Sequence, residues 1–311
     1  MADKIKEILL LKNLKRVGKS AIYGKYWDLL NDTEDLEDLI LKIGQKESKF
    51  SKDDLLKAKN DAEELHDYIL NSDIQVITVF DNEYPEKLEV MGNKRPLILY
   101  IKGNVEALTK PNISVIGTRK PSQLSQEFEK NLVKSIVNNS QRVVVSGLAL
   151  GCDKIAHQTT VEEGKITIAV LPSGVNVIKP DSNKNLAQNI IKTGGCLVSE
   201  YEPNKNVNRG SYVERDKIVA AFSDAIFVVE GGVKSGTMKT VKAANDYQKQ
   251  IYSYLPDERP EGSYDGNEFI LNEFDDSIRV ENIEDFINDL NTIKSEKQPK
   301  VSTPTLDDFL S

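Results

Sequence analysis

From Asn112 to about Leu255 the chain alternates without a break between short apolar runs and longer amphipathic ones. "NISVIG", "RVVVSG", "ITIAVLPSG", "CLVSEY", "AIFVVEGG" and "IYSYL" have strand length. Between them lie "QLSQEFEKNLVKSIVNN", "DKIAHQTTVEEG", "NKNLAQNIIKTGG", "YVERDKIVAAFSD" and "GTMKTVKAANDYQKQ", with apolar residues at helical spacing. Several strands are apolar without alternation, as strands are when helices cover both faces of a sheet. Strict strand–helix alternation leaves one economical solution: an α/β fold with a doubly wound, parallel, Rossmann-like sheet. "IYSYL" reads as its last strand.

The flanks differ. Up to about Ser72 the pattern is helical, with Ser51 placed to cap "KDDLLKAKNDAEELHDYIL". A Gly-Lys-Ser turn at 18–20 allows a worn helix-hairpin-helix, but a small helical bundle with an ordinary turn is the simpler account. "IQVITVFDNEYPEKLEVMGNKRPLILYIKG" gives two short strands around a Tyr-Pro loop. After Pro256 the sequence becomes loop-rich and acidic, with one amphipathic helix in "VENIEDFINDLNTI". The expected organisation is a helical domain over 1–72, a Rossmann-like domain over 73–256, an acidic extension over 257–298 and a flexible tail over 299–311.

Chemistry is bounded by what is scarce. The two cysteines, Cys152 and Cys196, make no disulfide framework. The two histidines, His66 and His157, stand far apart, so neither a metal nor a zinc cofactor is expected. No apolar run reaches the roughly 20 residues that span a bilayer, and "MADKIKEILLLKNLKR" is no signal peptide. A cytoplasmic protein is expected. The net charge of −8 speaks against an indiscriminate polyanion binder. The charge is uneven, however: Lys110 to Lys154 leans basic, whereas Asp257 to Asp289 is strongly acidic.

In an open parallel sheet, ligands bind at the carboxyl ends of the strands. Those ends read "GTRKPS", "SGLALG", "PSG", "SEYEP" and "EGGVKSGT". Glycine in four of the five lets backbone N–H groups approach an anion, and each helix that follows adds a positive N-terminus. Arg119 and Lys120 supply formal charge nearby. Arg215 has two readings, a phosphate ligand or a solvated residue with local ion pairs. Nucleotide motifs fail. In "GGVKSGTMKT" Gly236 is in place for a P-loop, but Thr237 and Met238 stand where Lys and Ser/Thr belong, and Lys239 comes two positions late. "GLALGCDKIAH" lacks the dinucleotide spacing. No catalytic constellation stands out: His157 reads as a satisfied core histidine, Cys152 as packing, and Asp153 as a helix cap as readily as an acid–base partner of Glu200.

"SVIGTRKPS", "VVVSGLALGCDKIAH", "ITIAVLPSG", "LVSEYEP" and "RDKIVAAFSDAIFVVEGGVKSGTMKTVKAA" occur in the order and at the spacing of the DNA-processing protein A family (DprA, also called Smf). The resemblance runs from about Leu56 to Gln250. It implies a non-enzymatic protein that binds single-stranded DNA, forms a homodimer, and helps load a RecA-type recombinase in transformation or recombination. It carries DNA contact onto Gly117, Thr118, Arg119, Ser146, Gly147, Arg215, Lys217, Ser235 and Gly236; Lys120 and Lys154 join these as cations suited to a phosphate-tracking groove. The chain departs from the family pattern at Leu150, where a basic residue is usual, and at Asp216, within what is usually Arg-Asn-Arg.

Two other functions are weighed. "EGGVKSGTMKT" echoes the "P-G-G-x-G-T-x-x-E" loop of lysine-decarboxylase-like phosphoribohydrolases, which would make the chain a nucleotide-ligand sensor. Thr240 falls where their catalytic Glu would be, so hydrolysis is not expected. The tail "TLDDFLS", through Leu306, Phe309 and Leu310, would suit an adaptor, although a frayed terminus accounts for it as well.

Overall fold

A computed structural model of the chain describes residues 4–259 and 262–293. The tail and the linker before it lie outside the described residues. Five helices come first: α1 (Ile5–Asn13), α2 (Lys19–Lys25), α3 (Trp27–Asp32), α4 (Leu36–Lys46) and α5 (Lys52–Leu70). Ser51 caps α5 as expected: its hydroxyl accepts from the Asp54 N–H, and the Asp54 carboxylate accepts from the Ser51 N–H.

Strands β1 (Ile74–Thr78) and β2 (Ile98–Gly103) flank the Tyr-Pro segment. Then come β3 (Asn112–Ile116), α6 (Gln123–Asn139), β4 (Val143–Ser146), α7 (Cys152–Glu162), β5 (Thr167–Val170), α8 (Lys184–Lys192) and β6 (Cys196–Ser199). The chain returns through α9 (Arg209–Phe222), β7 (Ala225–Val228), α10 (Thr237–Asp246) and β8 (Gln250–Tyr254), and ends its described part with α11 (Asp265–Glu273), β9 (Ser277–Val280) and α12 (Ile283–Thr292).

The strands form one sheet in the order β1-β2-β6-β5-β4-β3-β7-β8-β9. From β6 to β9 all neighbours are parallel; β2 pairs antiparallel with both β6 and β1. The chain moves outward from β3 to β6 and then jumps back to β7 on the other side of β3. That reversal is the topological switch point, where loops at the carboxyl ends diverge and leave a crevice.

Both faces of the sheet are buried, which is why the strands carry apolar residues on consecutive positions. Ile113 and Val115 pack with Leu132 and Ile136 of α6, Ala156 of α7 and Phe286 of α12. Ile116 and Val145 pack on the other face with Ile218 of α9 and Val241 of α10. A third cluster joins Ile8 to Leu11 of α1 with Tyr100, Ala169, Leu171 and Leu197, so the N-terminal helices share a core with the sheet. Their Gly-Lys-Ser turn belongs to that docking. Gly18 precedes α2, and the Lys19 ammonium donates to the Glu200 carboxylate at 2.5 Å and to the Lys94 carbonyl at 3.1 Å.

The region after Pro256 needs correction. "IYSYL" is not the last strand, and the acidic extension holds more than one helix: α11 and β9 precede α12, and β9 pairs parallel with β8, Tyr252 opposite Ile278. β9 is an edge strand with only Val280 buried, so its apolar signal is faint. α11 opens on Asp265-Gly266-Asn267, residues that read as a turn.

Candidate nucleic-acid interface

Four of the five loops at the carboxyl edge meet around one cleft of about 810 Å³. Backbone hydrogen bonds lock three of them together. The Thr118 N–H donates to the Glu230 carbonyl at 2.7 Å, and the Thr118 carbonyl accepts from the Cys152 N–H at 3.1 Å. Gly117 is required at this crossing, because a Cβ there would overlap the Cys152 sulfur and approach the Glu230 carbonyl at 2.9 Å. The fifth loop, "PSG", is not part of the cleft. Gly174 donates its N–H to the Lys205 carbonyl at 2.9 Å and sits against Glu202 and Pro203.

The loop after β4 is held from inside. Asp153 accepts from the N–H groups of Gly147 and Ala149, both at 3.2 Å. It therefore fixes the loop that precedes α7 and is not paired with Glu200, whose carboxylate is taken by Lys19. The Ser146 hydroxyl donates to the Val115 carbonyl at 2.8 Å and is fully buried, so its side chain is spent on the sheet.

Arg215 is neither of the things its sequence allowed in pure form. It projects from α9 onto the cleft floor, yet only 5% of it is exposed. Its guanidinium lies between two carboxylates, 3.7 Å from Asp153 and 3.1 Å from Asp216. It also covers Gly147 so closely that a Cβ there would coincide with Nη1. Burial, with the Asp153 charge adding to it, pushes the Asp216 carboxyl up to about 6 from 3.8, against the pull of Arg215, Lys239 and Arg119.

The free cations are arranged around this rim. Arg119 lies with its guanidinium 5.6 Å from the ring centre of Tyr212, which projects from the first turn of α9. Arg209, at the start of α9, and Lys239, in the first turn of α10, also line the cleft. Among the described residues none of these three cations has a carboxylate within ion-pair distance. Two helix N-termini open here. α9 is capped by the Asn208 side chain, whose oxygen accepts from Gly210 and Ser211. No side chain caps α10; its Lys239 N–H is taken by the Gly236 carbonyl at 2.9 Å, and the N–H groups of Thr237 and Met238 remain for a ligand.

The loop before α10 is braced by the C-terminal extension. The Asn267 carboxamide accepts from the Gly231 N–H at 2.8 Å and donates towards the Val229 and Tyr254 carbonyls at 3.2 and 2.9 Å. Gly266 lies on the Gly231 backbone, leaving no room for a Cβ.

Of the residues singled out in the sequence, the cleft collects Gly117, Thr118, Arg119, Gly147, Arg215, Ser235 and Gly236. Lys120 and Lys154 line a second hollow that shares Arg119 with it. Lys217 points elsewhere and pairs with Glu214 at 2.7 Å. Sequence reasoning missed Arg209, Tyr212 and Lys239. Lys239 left a trace as the cation two positions late for a P-loop. His157 is a core histidine, Nδ1 2.7 Å from the Thr167 hydroxyl, and burial lowers it to about 3. Beneath Gly117, burial holds the Cys152 thiol and the Glu129 carboxyl well above their ordinary values. No cluster of metal-ligating side chains occurs among the described residues, and none of their helices is long and apolar enough to cross a membrane.

Comparison with known proteins gives one consistent result. Residues 75–291 match the family model described as DNA recombination-mediator protein A. The chain is 29% identical over 196 residues to the DNA processing protein DprA of Streptococcus pneumoniae, covering 63% of this chain and 68% of that one. It is 31% identical over 183 residues to Protein Smf of Synechocystis, covering 58% of this chain and 45% of the relative, so it spans under half of that protein's length. The solved structure of the Streptococcus pneumoniae DprA superposes with a TM-score of 0.75 at 23% identity, over 93% of this chain and 98% of that chain. A structure of DNA processing protein A from Helicobacter pylori, described as revealing its single-stranded DNA binding mode, superposes with a TM-score of 0.62 at 30% identity, over 70% of this chain and 95% of that one.

Proposed function

The chain belongs to the DNA recombination-mediator protein A family, and from that premise we propose that its cleft binds the backbone of single-stranded DNA. The protein then acts without catalysis, as a homodimer in the cytoplasm, to help load a RecA-type recombinase on the strand. The observation that supports this most is the rim: Arg119, Arg209 and Lys239 stand without carboxylate partners around the uncapped N-terminus of α10, in a chain whose net charge is −8. Unpaired cations and backbone donors along a cleft are what a phosphate chain requires, and the Tyr212 ring offers a face for a base.

The parts divide the work. Exposed cations and the α10 N-terminus take phosphates. The Asp153–Arg215–Asp216 trio fixes the floor, and Gly236, where a Cβ would meet open space, lets the strand approach the backbone. The test is fluorescence anisotropy with labelled oligo-dT over a salt series. Tight binding at low salt should weaken with a slope of about −0.7 per neutralised phosphate. Arg119→Ala should cost about tenfold in affinity and flatten that slope by about 0.7, one charge-assisted contact being worth roughly 1.5–3 kcal/mol. Unchanged binding in Arg119→Ala would remove the cleft from consideration. Recombinase loading is checked by whether the protein accelerates assembly of a RecA-type filament on DNA coated with single-strand-binding protein.

A second reading has one observation in its favour. A cleft of about 810 Å³ also suits a nucleotide-sized ligand. Thermal stabilisation by a mononucleotide or dinucleotide, without any DNA binding, would favour a nucleotide sensor.

A further inference from the structure

Next to the cleft, the outer surfaces of α6 and α7 enclose a second hollow of about 450 Å³. Each helix contributes a matched pair at i, i+4 spacing, Gln126 with Lys130 and Lys154 with Gln158, so the pairs face each other across the groove. Lys120 stands at its mouth beside Gly151, which starts α7 with a φ of +74° and no side-chain cap. Arg119 is the ridge shared with the main cleft.

Among the described residues, no carboxylate lies within ion-pair distance of Arg119, Lys120, Lys130 or Lys154. What marks the groove is that all four line one hollow. The same two helices do pair their charges just beyond the groove, where Lys134 meets Glu163 at 3.6 Å. At that end Glu162 closes the hollow and accepts from Gln158 at 2.8 Å. From Lys154 to Glu162 the groove runs about 12 Å at 1.5 Å per residue, which leaves room for a few nucleotides.

We propose that this α6–α7 groove is a continuation of the DNA path: single-stranded DNA leaves the cleft over Arg119 and lays its next phosphates between Lys120, Lys154 and Lys130. The inference rests on the cleft reading above and adds the direction in which the strand exits. A basic groove continuous with a phosphate site extends the counterion release along the same strand.

The test compares the wild type with Lys130→Gln/Lys154→Gln on two labelled oligo-dT probes, one of about six nucleotides and one of about 20. A control, Lys110→Gln/Lys134→Gln, removes the same charge outside the groove. The groove variant should bind the short probe as the wild type does. It should bind the long probe severalfold more weakly, with a salt slope reduced by about 1.4 for two lost phosphate contacts. The control should match the wild type on both probes, and all three proteins should melt together. Wild-type affinity and slope for the long probe in the groove variant would overturn the proposal and leave the cleft standing. An equal loss in the control would overturn it too, since net charge alone would then account for the effect. If the wild type binds neither probe, both readings fall. If Arg119→Ala leaves the short probe unaffected while the groove variant loses the long one, the cleft reading falls and the continuous path over Arg119 falls with it, leaving a separate groove site.

Discussion

Asp216 is the residue that most opposes an anion in the cleft, and its removal makes the sharpest prediction. Its carboxyl titrates at about 6, raised chiefly by burial. At pH 7.5 it is almost fully ionised, and the trio Asp153–Arg215–Asp216 then carries a net charge of −1. A phosphate about 7 Å from that carboxylate is repelled by roughly 0.6–2.4 kcal/mol for an effective dielectric between 80 and 20. The cleft is open to water, so about 1 kcal/mol is reasonable, or a factor of about five in affinity. Asp216→Asn should therefore bind oligo-dT about fivefold more tightly than the wild type at pH 7.5. At pH 5.0 the wild-type carboxyl is mostly protonated, and the advantage should fall close to one. His157, lowered to about 3, stays neutral throughout and does not disturb the ratio. Stability supplies an internal check. The folded value of about 6 lies above the ordinary 3.8, so the fold holds the proton more tightly than the unfolded chain does. Wild-type stability should rise as pH falls from about 6 towards 3.8 and decline as pH rises through 6. Asp216→Asn should lack that dependence. Anisotropy at the two pH values and fixed ionic strength gives the ratio. An affinity ratio that is the same at both, or a variant that binds more weakly, would refute the electrostatic argument.

Gly147→Ala should be poorly tolerated, because its Cβ would displace the Arg215 guanidinium from Asp153. A cost of about 1–3 kcal/mol in stability is expected from overpacking, together with loss of oligo-dT binding; wild-type melting would show that Arg215 can move aside freely. Asn267→Ala should leave the buried Gly231 N–H without an acceptor and cost about 1–3 kcal/mol. Hydrogen exchange should then accelerate across 231–236, and oligo-dT affinity should fall although Asn267 is outside the rim.

What was legible in the sequence follows from which physical signals are local. The central sheet was readable because burial on both faces writes itself into runs such as Val143 to Val145, and the glycine-rich turns mark where each strand ends. The glycines were readable as a group, but the reason for each lay in three dimensions: Gly147 lies under Arg215, and Gly117 lies over Cys152. Lys217 joined the candidates because the family resemblance carries a basic residue onto the third position of "RDK". Two residues at about 100° each turn it to another face of α9, where Glu214 takes it. Lys239 had the opposite fate. It failed a motif test that asks for a lysine at one position, yet the first turn of α10 places it on the rim. Arg209 and Tyr212 follow the aperiodic "NKNVN" segment, which offers no spacing to argue from. The brace formed by α11 was hidden because Gly266 and Asn267 have the composition of a turn while serving as a backbone contact and a buried carboxamide.

The buried trio changes how the family's basic residues should be weighed in this chain. A guanidinium held between two carboxylates contributes little net field, so Arg215 acts on a ligand mainly by shaping the floor and holding Gly147's loop. The attraction then has to come from Arg119, Arg209 and Lys239, which are exposed and unpaired. Such side chains are flexible and well solvated, so each gives a modest, salt-screened contribution. The expected consequence is a binder whose affinity depends on several phosphates being engaged together and falls steeply with salt. A chain that places an acid such as Asp216 in its cleft gains from a longer track, and the unpaired lysines along α6 and α7 lie where that track would run.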